Sequence, residues 1–330
     1  MYLAIFPLIF LVFSSMYNYI MLNAEKHKFT PPGRLIKIDD HKMHIVSRGE
    51  GKTTVIMTSG CGTLCPYTDF YKLESKVSEF TRTCLYDRPG YGWSEYSKTS
   101  RDTERIAYDL KRLLEKAGEK PPYVFVAYSS GLMEALLFAH KYPSEVAGMV
   151  IIDGAGPYRF IQFSNSDKNK LSNLNFKFEV LIFKFLNFTG IIRLACLFNL
   201  IPRLADRTKK LPKYICELEK AMLFKNLYNR MILEERKTFL STSLKMSEHL
   251  DIKNLPITII TADSSLYNIY GWSESQKSLL ELSSNSKQII IKNTNHNNIL
   301  HDCHKEISDS IREIIINYMK NAEKLKLNRP

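Results

Sequence analysis

The sequence predicts an α/β fold: a doubly wound, mostly parallel sheet that carries an inserted helical cap and is preceded by a transmembrane helix. Three observations predict it. From Arg34 onward, short apolar stretches alternate with stretches of helical period, the order that builds a parallel sheet covered on both faces. That alternation breaks between Gly156 and Lys253, where helical pattern runs without a strand. The segment Met1 to Ala24 contains no charged side chain.

The uncharged start is long enough to cross a hydrocarbon core, which needs about 20 residues of helix. Residues 1–24 therefore read as a retained single-pass anchor. A cleaved signal peptide would bring a basic beginning and small residues before the cut, whereas this start is uncharged and Leu22-Asn23-Ala24 is a poor cleavage site. Lys26, Lys28, Arg34 and Lys37 follow the span with nothing basic before it, which places the large domain on the cytoplasmic side. Residues 25–33 form a linker, where two prolines stop the helix and extend the chain.

In the first part of the core, residues 34–155, RLIKID and KMHIVS alternate apolar and polar side chains like a half-exposed hairpin. TTVIMTS is a continuous apolar run, the mark of a strand buried on both faces. TDFYKLESKVSEF reads as one helix and RTCLYD as the next strand. RDTERIAYDLKRLLEKAG places Ile106, Leu110, Leu113 and Ala117 on one helical face and stops at Gly118. PYVFVAY, the helix SGLMEALLFAHKYP and the strand AGMVIID complete this part.

Residues 156–253 form the cap, whose middle is rich in Phe, Leu and Ile but interrupted by Lys177, Glu179, Lys184 and Arg193. The expectation is a helical subdomain that packs on itself and on the sheet, in preference to a second membrane contact. The second part of the core, residues 254–330, holds the strands PITIITA and KQIIIK and a closing helix around ISDSIREIIINYM.

Composition narrows the function classes. The 330 residues, 45% apolar and 24% charged, can bury a sizeable core and are not disordered. The net charge of +12 comes from lysines spread along the chain, without an arginine-rich patch with interleaved aromatics. Nucleic acid is therefore not the expected partner, and an anionic membrane surface fits the charge better. Cys61, Cys65, Cys84, Cys196, Cys216 and Cys303 lack zinc-like paired spacing and read as small packed side chains. His301 and His304, with Cys303 between, are too thin a signal for a metal site.

The chemistry sits at VFVAYSSGLMEALLFA, where a buried strand turns sharply into a helix with Ser129 between small residues. Such a turn strains the backbone, demands small neighbours and lifts the serine oxygen above the sheet. The helix begins at once, so the amide of Ser130 points at the same space and can hold an oxyanion.

Residues from about Gly33 to Tyr318 resemble an alpha/beta-hydrolase fold enzyme. YDRPGYGWSE, Tyr86 to Glu95, is similar to the signature that family carries after its fourth strand, and VAYSSG resembles its nucleophile elbow. TSGCGT, Thr58 to Thr63, matches its oxyanion loop, which makes the amide of Cys61 the second donor. NTNHNN, Asn293 to Asn298, matches the loop of the catalytic histidine, His296. Four positions depart from the pattern: Ala127 replaces the first elbow glycine, Tyr128 the usual histidine, Leu132 a second glycine, and Ser59 stands where histidine is common.

The resemblance implies a serine hydrolase of the esterase or lipase branch. A serine hydroxyl is a weak nucleophile until a histidine takes its proton, and that histidine works best when a carboxylate holds its other nitrogen. The family's usual acid position, counted from Ala262, falls on Ser265, which cannot carry the charge. Two carboxylates remain: Asp153, which ends the sixth strand and is preferred, and Asp263. Expected substrates are apolar esters or related acyl compounds, with no cofactor and no metal. The alternatives are an aminopeptidase on the same scaffold and a non-catalytic ligand-binding protein.

Overall fold

The computed structural model describes residues 2–164, 168–201, 209–252, 254–263 and 271–327. Eight strands form one sheet: β1 (Arg34–Ile38), β2 (His41–Arg48), β3 (Thr54–Thr58), β4 (Arg82–Tyr86), β5 (Tyr123–Tyr128), β6 (Val146–Ile152), β7 (Ile257–Ala262) and β8 (Ser286–Ile291). Their spatial order is β1-β2-β4-β3-β5-β6-β7-β8. β1 and β2 form an antiparallel hairpin, β2 meets β4 antiparallel, and every pair from β4 to β8 is parallel.

The continuous apolar runs follow from burial on both faces. Along β3 and β5, Val55, Met57, Val124 and Val126 point into one core cluster while Ile56 and Phe125 point into the other, as the two-residue period of a strand requires. The first cluster is closed by Leu73 and Val77 of a helix at Tyr71–Val77 and by Ile307, Ile311 and Ile314 of the closing helix, His304–Leu327. The second is closed by Leu110 and Leu113 of the helix Thr103–Ala117 and by Leu132 and Leu136 of Gly131–Lys141. Thr103–Ala117 starts where the Asp102 carboxylate accepts from the Arg105 amide and ends at left-handed Gly118.

The helix expected as one piece over TDFYKLESKVSEF is two, Pro66–Asp69 and Tyr71–Val77. They break at Phe70, whose ring is fully buried, so packing of that ring overrides helical continuity. Between β6 and β7 the described residues form the helices Pro157–Ser164, Lys168–Phe188, Ile191–Leu197, Lys213–Asn226 and Arg230–His249. At the N-terminus a helix covers Tyr2–Lys28, and within it Phe6–Lys28 is long and apolar enough to cross a membrane.

Candidate active site

Parallel strands end on the same edge of a sheet, so the loops that follow β3, β5, β6 and β8 converge there. Ser129 follows β5 directly with φ of 53°, and Asp153 follows β6 with φ of 43°. Both sit in left-handed backbone that side chains other than glycine rarely adopt. Ladder bonds hold the two turns side by side: the Ser129 amide donates to the Ile152 carbonyl at 3.1 Å, and the Ala155 amide to the Ser129 carbonyl at 2.9 Å. Gly131 opens the next helix against β3, and a Cβ there would lie 2.6 Å from the carbonyl oxygens of Thr58 and Ser59. Only glycine allows that approach.

His296 reaches this edge from the loop after β8. Its Nε2 lies 3.1 Å from Ser129 Oγ and its Nδ1 lies 2.6 Å from Asp153 Oδ2. Asp153 is fully buried, and its other oxygen accepts from the Ala262 amide at 3.2 Å and from Trp272 Nε1 at 3.3 Å. An ionised carboxylate with these donors favours the tautomer that protonates Nδ1, which leaves Nε2 free to accept from Ser129. The imidazole is clamped on two sides: Tyr128 stacks on it at 5.0 Å between centroids, and Trp272 meets it edge-on at 5.2 Å. Tyr128 also donates from its hydroxyl to the His296 carbonyl at 2.7 Å.

Asp263, the other carboxylate considered, is half-buried at the end of β7, where its amide donates to the Ile291 carbonyl. The orienting position on Nδ1 is already occupied by Asp153, so the structure does not bring Asp263 into that role. Ser265 lies outside the described residues.

One of the two expected oxyanion donors is already engaged in the structure. The Cys61 amide is not open: it donates to Ser130 Oγ at 2.7 Å. A serine hydroxyl one residue beyond Ser129 reaches back to the loop after β3 and fills the acceptor position at that amide. The Cys61 thiol is half-buried at the mouth of a cavity; desolvation, and after it the charge of Glu235, push its pKa up to about 12, so it stays protonated at neutral pH.

The signature Tyr86 to Glu95 supports this loop from beneath. Arg88 donates to the Ser59 carbonyl at 2.8 Å and the Gly60 carbonyl at 3.0 Å, and pairs with Glu134 at 2.8 Å and Glu235 at 3.2 Å. Glu235 belongs to the helix Arg230–His249, between β6 and β7, and also accepts from the Tyr91 hydroxyl at 2.9 Å. Burial works against the guanidinium charge, but the anions around it, Glu235 foremost, raise its pKa well above the ordinary value. Asp87 takes the Trp93 amide and His44, and a Cβ on Gly92 would lie 2.1 Å from its carboxylate. In the sequence Arg88 stands only as part of the signature and Tyr128 only as a departure at the elbow, neither with a role, and Trp272 has no motif around it. Their partners lie far away in the chain, and no local pattern marks them.

A cavity of about 940 Å³ opens from Cys61 and Gly62 toward Phe176, Phe183, Ile192 and Ile232. Another, of about 1000 Å³, lies at the opposite edge against Val146, Ile257 and Ser286, the starts of the strands. It is remote from Ser129. Among the described residues no group of three His, Cys, Asp or Glu side chains is arranged to hold a metal ion, and all six cysteines are free.

The family profile described as alpha/beta hydrolase fold matches residues 69–301. The chain belongs to that family. An uncharacterized protein of Bacillus subtilis, YbdG, is 32% identical over 155 residues, 47% of this chain and 48% of its own length. The chain spans about half the length of the curated relatives it matches. Among solved structures, a protein of Acinetobacter baumannii provisionally named a lipase is similar with a TM-score of 0.62 and 16% identity, over 92% of this chain and 97% of that one. An epoxide hydrolase from Vigna radiata gives 0.64 and 16%, over 86% and 97%. At this identity the likeness is one of fold.

Within the alpha/beta hydrolase fold the departures at the elbow have physical compensation. Leu132, in place of a second elbow glycine, fits because Gly154 and Gly156 leave room: a Cβ on them would lie 2.9 and 3.4 Å from its Cδ2. Ala127 is fully buried in the strand, and Tyr128 is the residue that stacks on His296.

Proposed function

We propose that this chain is a membrane-anchored serine hydrolase that cleaves an apolar carboxylic ester or related acyl bond. The observation that carries the reading is the line Ser129 Oγ, His296, Asp153, with contacts of 3.1 and 2.6 Å, set on a left-handed turn. Ser129 attacks the carbonyl carbon as His296 Nε2 takes its proton, and Asp153 stabilises the imidazolium. The tetrahedral oxyanion falls to the amides of Ser130 and Cys61 once the Ser130 hydroxyl has rotated away. His296 returns the proton to the leaving alkoxide, and water then splits the acyl-enzyme by the same route. A serine nucleophile suits acyl transfer: its attack on an epoxide carbon would leave an ether that water does not release.

Retention of the N-terminal helix is supported by how it is tied down. Asn18 and Glu25 bond to Arg193, at 3.0 Å and at 2.5 and 2.9 Å, and cutting after Ala24 would remove Asn18 and leave part of this buried arginine's pairing unmet. The basic residues after the helix favour a cytoplasmic domain.

Two measurements test the reading. In a series of p-nitrophenyl esters of rising acyl length, kcat/KM is expected to climb to medium or long chains, as an apolar cavity beside the oxyanion loop requires. No turnover across the series would contradict it, as would a preference for aminoacyl anilides. Ser130→Ala is expected to keep or raise kcat/KM, because it opens the Cys61 amide without removing it. A fall of about tenfold or more would instead make the hydroxyl a donor in its own right.

A further inference from the structure

We propose that the corner between the helices Lys168–Phe188 and Ile191–Leu197 sits inside the bilayer beside the N-terminal helix, and that apolar substrate enters the cavity from the lipid. The inference rests on the anchor and hydrolase readings above and extends them to a substrate source.

The argument begins with one face of the N-terminal helix. Ser14, Asn18, Leu22 and Glu25 recur at helical spacing, so they share a face. That face is docked: Asn18 is 3% exposed and donates to the Asn187 carbonyl at 2.8 Å, while Leu22 packs beside Ile192 and Cys196. Arg193 grips Asn18 and Glu25 and lies 4.0 Å over the Phe224 ring. Gly190, in the corner itself, comes so close that a Cβ would stand 2.7 Å from the Ser14 carbonyl. On the other side of the helix Phe10, Phe13, Tyr17 and Ile20 are exposed.

Depth follows from helix geometry. Glu25 is the first charge in the chain, and Ser14 lies eleven residues before it, about 16 Å along the axis at 1.5 Å per residue. A helix that spans the hydrocarbon core with Glu25 at its border therefore carries Ser14 close to the middle. Whatever is docked on Ser14 is immersed with it, and that is the corner at Gly190. An immersed element must have its backbone bonds satisfied within itself and an apolar outer surface. The corner has that outer surface, two helices bent by 77° with Leu181, Ile182, Phe185, Phe188, Leu197 and Phe198 exposed, and the Asn187 carbonyl at the bend finds its partner in Asn18 of the N-terminal helix. Lys184 is the one charge between Val180 and Ile192, and its long stem lets the ammonium reach the interface.

The sequence predicts a helical subdomain that packs on itself and on the sheet; the proposed bilayer contact adds to that packing, because an apolar face is turned outward. The same two helices supply Phe176, Phe183 and Ile192 to the cavity that ends at Cys61. Its wall on that side would be lipid-facing, and its far end is the oxyanion loop.

The test uses the full chain reconstituted in phosphatidylcholine vesicles, with Leu181→Trp to report the corner and Ile290→Trp, on the exposed edge strand, to report solvent. In vesicles of brominated phosphatidylcholine the emission that Leu181→Trp adds to that of the native Trp93 and Trp272 is expected to be mostly lost, and the emission that Ile290→Trp adds is expected to be kept. Iodide in the water should act in the opposite order. Quenching of Leu181→Trp by iodide and not by brominated lipid overturns the proposal; so does shielding from both, which would mean a protein partner or a second copy on this face. The triple variant Leu181→Asp, Phe185→Asp, Phe188→Asp is expected to lose about tenfold or more in hydrolysis of a vesicle-borne long-chain ester and to keep its rate on a soluble short one. Equal rates on both overturn the entry route. Fluorescence needs no catalysis: a Leu181→Trp indole quenched by brominated lipid, in a chain that is inert toward both esters with or without that substitution, would support the contact and refute the hydrolase reading instead.

Discussion

Asp153→Asn is expected to lower kcat for ester hydrolysis by about 10⁴-fold, and Asp263→Asn by less than about tenfold. The difference lies in what each carboxylate holds. Asp153 takes His296 Nδ1 at 2.6 Å on one oxygen and the Ala262 amide and Trp272 Nε1 on the other. An asparagine in that place must keep its oxygen toward the amide and the indole, which turns its NH₂ toward Nδ1. The imidazole then carries its proton on Nε2, where it can no longer accept from Ser129. The loss should appear in steady-state kinetics while the thermal unfolding midpoint shows the chain still folded. If Asp263→Asn proves the more damaging of the two, the assignment of Asp153 is wrong.

Arg88→Ala carries the largest expected cost in stability. The guanidinium is 3% exposed and is the counter-charge of Glu134 and Glu235, both buried. Removing one partner of a buried ionic cluster leaves the others uncompensated and costs about 3–5 kcal/mol. It also strips donors from the Ser59 and Gly60 carbonyls, so activity should fall more than unfolding alone explains. Urea unfolding reads the first effect. A triple variant, Arg88→Leu, Glu134→Leu, Glu235→Leu, should regain part of the stability, since an apolar set of similar size carries no unpaired charge. Arg88→Ala within about 1 kcal/mol of wild type would mean that the cluster does not hold the loop.

Much of the fold was legible because its signals are local. Runs such as TTVIMTS and PYVFVAY, short and rich in β-branched and aromatic side chains, read as strands covered on both faces, and the period of Thr103–Ala117 with Gly118 after it marks one helix and its end. The break at Phe70 was not legible, because it depends on where one aromatic ring finds its pocket. At the candidate site, the serine turn was readable from its small neighbours, and the histidine from its place after the last strand.

The choice between Asp153 and Asp263 was harder. Both end neighbouring parallel strands, and what distinguishes them is three-dimensional: the left-handed turn at Asp153, its contact with His296 Nδ1 and the indole of Trp272. Trp272, Tyr128 and Arg88 act across 24 to 168 residues of chain, and composition and period do not report such pairs. One sequence signal was available and unused: Gly154 and Gly156 after Asp153, which make room for the bulk of Leu132. The Ser130 hydroxyl on the Cys61 amide had no signal at all, since it depends on a side-chain rotamer.

The central claim is that Ser129 is an activated nucleophile, and covalent labelling with a fluorophosphonate tests it most directly. The account predicts that the folded wild-type chain is labelled at one site, the peptide that carries Ser129, that Ser129→Ala is not labelled, and that His296→Ala is labelled far more slowly. No labelling of the folded wild-type chain, or equal labelling after Ser129→Ala, would contradict it.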